Sequence, residues 1–196
     1  MAYKYSKHVD YQKDPVKGWL WMSLYWLICL SVSSRYLMAP VRWIDWRWLL
    51  LAISFAFQAQ RTMDERHDSC GRLPCVPAAI VFAALNGTLE TCMFAFVYDF
   101  GKGLAMGSHS LPWLGTLLGY ALFFIYSGLI HALFWEPYAL PLHVKPDLPP
   151  FLTHALPALV AHSLVLIGLY ELSGSVWLSC AIHVCIDLRY AIHIAL

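Results

Sequence analysis

Six apolar stretches, at 18–38, 41–59, 76–98, 112–135, 151–172 and 174–195, take up most of this 196-residue chain. A helix needs about 20 consecutive apolar residues to cross the hydrocarbon core of a bilayer. Several of the stretches reach that length, and their edges are placed to within several residues. The composition agrees: 60% of residues are hydrophobic and 13% charged, roughly half the charged fraction of a soluble domain. The expected fold is all-α, a polytopic transmembrane bundle of about six spans with the lipid bilayer as its first partner. A net charge of +1 argues against a dedicated nucleic-acid binder.

The domain organisation is simple. Residues 1–17 form a polar, basic N-terminal segment, too long in its polar run for a cleaved signal peptide. Residues 18–196 form a single transmembrane helical domain. The run VRWIDWRW, between the first two stretches, has the tryptophans and arginines of a headgroup-level segment; the second stretch is then either a full span or a tilted, partly re-entrant helix. The loop QRTMDERHDSCGRLPC is the most polar part after the N-terminus. The five prolines of EPYALPLHVKPDLPP keep that loop extended. Of the six cysteines, Cys29, Cys92, Cys180 and Cys185 fall in apolar stretches and read as packing residues. Cys70 and Cys75 share a loop without the CxxC spacing of a zinc or redox motif.

Basic residues set the expected orientation. Lys4, Lys7, Lys13, Lys17, Arg61, Arg66, Arg72 and Lys145 lie on the N-terminal side, and Arg35, Arg42, Arg47 and Lys102 on the other. Eight against four, with Arg189 in the last span left out, places the N-terminus on the cytoplasmic or stromal-type side of an integral membrane protein.

Ionisable residues within apolar spans are expensive and usually mark function. Here they are Glu90, His131, His162, His183, Asp187 and His193, with His154 and Glu171 near ends of the fifth span. His183 and Asp187 are one helical turn apart and share a face. Glu90 sits in AALNGTLETCMFAF beside Asn86 and Thr88. A carboxylate and two imidazoles that converge can activate a water, Glu90 as general base and a histidine stabilising the oxyanion. They can instead bind a metal such as zinc through Glu90, His131 and His183, with one position open. Lone membrane histidines often only hydrogen-bond a neighbouring helix, and that reading is favoured for His162 and His193.

In order and spacing these residues resemble the CPBP family, also called Abi or CAAX-protease-like: polytopic membrane proteins that include prenyl-protein endoproteases, bacteriocin self-immunity proteins and non-proteolytic relatives. The family pattern is EExxxR, then FxxxH, then HxxxN or HxxxD. HVCID, from His183 to Asp187, matches the third motif. YSGLIHALFW resembles the second, with His131 as the histidine and Ser127 at the phenylalanine position, one residue after Tyr126. LETCMFAF resembles the first, with Glu90 as the first glutamate, Thr91 in place of the second and Ala95 in place of the arginine. The resemblance covers about 76–195. It implies a CAAX-protease-like core, with Glu90 and His131 activating water and His183 and Asp187 forming an oxyanion site, the four catalytic residues if the chain is active.

Two of the six polar motif positions are lost. Thr91 cannot act as a carboxylate, and the side chain of Ala95 donates no hydrogen bond. The expected function is therefore a non-proteolytic scaffold, a subunit or assembly factor of a larger membrane complex with other membrane proteins as partners. The alternative is an intramembrane CAAX-type endopeptidase. A lower alternative is a pigment- or haem-binding subunit, with His131, His162, His183 or His193 as axial ligand; the sequence itself requires no cofactor.

Overall fold

The computed structural model describes residues 15–64, 76–105, 112–130 and 156–193. Among these residues the protein is all-helical. Its elements are α1 (Pro15–Leu37), α2 (Trp46–Asp64), α3 (Val76–Leu104), α4 (Pro112–Ile130), α5 (Leu156–Ser173) and α6 (Trp177–His193). The order and number match the six stretches read from the sequence. Two helical segments, Val76–Leu104 and Trp113–Ile130, are long and apolar enough to cross a bilayer, and Trp46–Phe57 and Val160–Ser173 are shorter apolar helices.

The helix ends follow local chemistry. Asp45 caps α2: its carboxylate accepts the Arg47 N–H at 2.8 Å and its carbonyl accepts from Trp48 and Leu49. VRWIDWRW is thus divided, 41–45 lying outside the helix and Trp46 opening it. Pro112 opens α4, where a missing N–H costs nothing. α5 closes on Gly174, whose φ of 65° is the left-handed conformation that glycine adopts freely. Its N–H bonds the Tyr170 carbonyl at 2.8 Å, and the Ser173 hydroxyl accepts the Ser175 N–H at 3.1 Å. The resulting turn sends α6 back along α5.

α3 is the central helix and packs against α1, α4, α5 and α6. It runs six residues beyond the expected boundary at 98, because Tyr98 and Gly101 are still buried there. Two glycines of α3 permit close approach. A Cβ on Gly87 would lie 2.5 Å from the Val184 backbone nitrogen, and one on Gly101 would lie 2.7 Å from Gly119 Cα. Backbones that approach so closely require a residue without a side chain. Met22, Tyr25, Trp26 and Cys29 of α1 pack with Phe82, Leu89 and Met93 of α3. Phe94, Tyr98, Phe123, Leu166 and Ile167 join α3, α4 and α5. α2 rests on α5 through Ala56, Val165 and Leu169.

Polarity is distributed unusually. Large apolar side chains lie exposed on α1 to α5, among them Leu27, Leu51, Phe100, Leu117, Ile125 and Leu164. Asn86, Glu90, Thr91, His183 and Asp187 are buried.

Candidate functional site

α1, α3 and α6 meet around a buried polar network centred on Asn86, one turn before Glu90 on the same face of α3. The Trp26 indole N–H donates to Asn86 Oδ1 at 3.0 Å. That bond fixes the amide orientation, because the indole can only donate. Nδ2 then faces two carboxylates and donates to Glu90 Oε2 and Asp187 Oδ2, each at 2.9 Å. Both amide hydrogens are used. The second Glu90 oxygen, Oε1, accepts the Tyr25 hydroxyl at 2.7 Å, and the Tyr25 and Tyr126 hydroxyls are 3.1 Å apart. Glu90 is 1% exposed, so these bonds do the solvating that water does elsewhere.

His183 is oriented by Thr91. The Thr91 hydroxyl donates its one hydrogen to the Gly87 carbonyl at 2.6 Å and lies 2.9 Å from His183 Nδ1. With that hydrogen committed, Nδ1 carries a hydrogen and donates to Thr91 Oγ1. Nε2 therefore points at the carboxylates, 3.7 Å from Glu90 Oε2 and 3.6 Å from Asp187 Oδ1. The Phe94 ring lies parallel to the imidazole at a centroid distance of 5.8 Å. The arrangement brings two carboxylates and an imidazole nitrogen together in a dry setting, where ionic attraction is strong and proton position is set by fixed donors.

Of the four residues singled out from sequence, Glu90, His183 and Asp187 meet in one site. His131 lies outside the described residues. The α4 segment that leads to it nevertheless reaches the site through Tyr126. No group of three His, Cys, Asp or Glu side chains among the described residues is arranged to hold a metal ion. His162 is elsewhere, with Nε2 3.3 Å from the Ala56 carbonyl. Glu171, expected near a helix end, pairs there with Lys102 at 2.6 Å.

The sequence reading missed Tyr25, Trp26 and Tyr126. Their signal was present: each is an aromatic with a polar tip in an otherwise apolar helix, and such tips seek partners when buried. Thr91, read only as a missing carboxylate, orients the histidine. Ala95 packs with Tyr36, Cys92, Val176 and Cys180, so this stretch of α3 is apolar.

A second cluster lies at the α5–α6 turn end of the bundle. Asp99 Oδ2 accepts the hydroxyls of Tyr36 at 3.0 Å and Tyr170 at 2.8 Å, and Arg35 approaches it at 4.0 Å. The Trp177 indole donates to the Ala39 carbonyl at 2.9 Å, tying the start of α6 to the segment after α1.

No family model, curated protein or solved structure matches the chain.

Proposed function

We propose that the chain is a polytopic membrane protein with a CPBP-like core that acts as a non-proteolytic scaffold, a subunit or assembly factor of a larger membrane complex. Large apolar side chains exposed on five of the six described helices, around buried carboxylates, support the membrane reading, because bilayer lipid rather than water suits such a surface. The charge asymmetry supports an N-terminus on the cytoplasmic or stromal-type side.

One observation carries the scaffold reading. Each Glu90 oxygen is held by a donor of the chain itself, Tyr25 on one and Asn86 on the other, and Thr91 occupies the second glutamate position as a partner of His183. Such a carboxylate works as the knot of a hydrogen-bond network joining α1, α3 and α6. The network fixes one packing of the helices, and a fixed lipid-facing surface is what a partner subunit recognises.

The endopeptidase reading draws on the facing pair of Glu90 Oε2 and His183 Nε2 at 3.7 Å. A carboxylate beside an imidazole is the pairing that water activation uses. The two readings separate when Glu90→Gln replaces the native copy and membrane-protein termini are compared by mass spectrometry. The scaffold reading expects no uncleaved precursor. An accumulating precursor with an intact Glu90→Gln protein sinks it.

A further inference from the structure

Cys92 of α3 and Cys180 of α6 are both buried, 0% and 3% exposed, and pack in one cluster with Tyr36, Ala95 and Val176. That cluster joins α3 to α6, so the two side chains meet at one helix contact. The Cys180 thiol also reaches the Thr88 carbonyl at 3.8 Å. The register of the two helices explains the meeting. Gly87 lies against the Val184 backbone and Thr91 beside His183, so Cys92 and Cys180 face each other within about a turn of the tightest α3–α6 contact. A disulfide needs Cα atoms about 4.4–6.8 Å apart, and helices in backbone contact through a glycine bring paired positions towards that range.

We propose that Cys92 and Cys180 form a redox-active dithiol that closes to a disulfide when hydrogen peroxide reaches it. In the first step one thiol sulfur attacks a peroxide oxygen, the O–O bond breaks, and a sulfenic acid and one water form. The second thiol then attacks the sulfenic sulfur, the S–O bond breaks, an S–S bond forms and a second water leaves. Two thiols lose two electrons and two hydrogens in total, and the peroxide takes up both. The product is a covalent strap between α3 and α6 next to the Thr91–His183 contact, and a dithiol reductant reopens it.

The test uses the full chain in its native membranes. These are treated with hydrogen peroxide, remaining thiols are alkylated in denaturant, and the digest is mapped by mass spectrometry. The expected product is a linked Cys92–Cys180 peptide, lighter by two hydrogens than the two thiol peptides and absent after dithiothreitol. In a Cys180→Ser variant the expected product is a sulfenic acid at Cys92, trapped by dimedone. The proposal is overturned if Cys92 and Cys180 stay alkylatable while the exposed Cys185 is oxidised, if either links to Cys29 instead, or if both advance to sulfinic acid without linking. Failure here leaves the scaffold reading untouched, since that reading rests on the Glu90 network of α1, α3 and α6 and not on an oxidisable thiol pair.

Discussion

Replacing Asn86 by alanine removes the residue on which the buried network turns. The amide makes three hydrogen bonds, two donated to carboxylates and one accepted from an indole. Hydrogen bonds to charged groups contribute about 1.5–3 kcal/mol each, and a buried donor left without a partner costs about 1–3 kcal/mol. Asn86→Ala shortens the donor supply of Glu90 and Asp187 together and strands the Trp26 N–H. The expected loss is about 4–6 kcal/mol, less whatever a water entering the vacated volume restores. Trp26→Phe serves as the partial control. It deletes the indole donor and part of a packed ring, leaves both carboxylate bonds, and is expected to cost about 2–3 kcal/mol. Thermal unfolding of both variants in the same detergent, followed by circular dichroism and by alkylation of the buried cysteines, reads the difference. A loss below about 1 kcal/mol for Asn86→Ala refutes the reasoning, because it means that the carboxylates draw their stabilisation from elsewhere.

Three further outcomes follow from particular contacts. Gly87→Ala places a methyl 2.5 Å from the Val184 nitrogen and is expected to force α3 and α6 apart with a loss of several kcal/mol, whereas Gly128→Ala, with open space around its Cβ, is expected to be neutral or to stabilise by up to about 1 kcal/mol; melting curves of the pair check this. Asp99→Asn keeps the shape but removes the charge that Tyr36 and Tyr170 bond, with an expected cost of about 1–3 kcal/mol, seen as a lower denaturation midpoint. Lys102→Ala breaks a short but part-exposed pair with Glu171 and is expected to change stability by less than about 1 kcal/mol, so a larger shift in the same melt contradicts the assignment of that pair to the rim.

Six helices were legible in the sequence because apolar run length and helix period carry that signal directly. Their edges were less so. α3 passes residue 98 because the bulky Tyr98 and the small Gly101 and Gly119 fit together, a tertiary fact that hydropathy does not encode. The gathering of Glu90, His183 and Asp187 was legible from the cost of burying ionisable groups. Their actual partners were not. Tyr25 and Trp26 lie 65 and 60 residues from the groups they bond, and nothing local to α1 says which tyrosine or tryptophan points inward. Thr91 shows a different limit. Motif comparison sees a residue that is not glutamate, while the helix contact shows a hydroxyl that takes the His183 N–H.

Purification of the chain from its native membrane in mild detergent, with mass spectrometry of whatever travels with it, tests the scaffold account most directly. The account predicts a defined complex at fixed stoichiometry. A lone, monodisperse protein that cleaves a membrane peptide, and stops doing so in a folded Glu90→Gln variant, contradicts it.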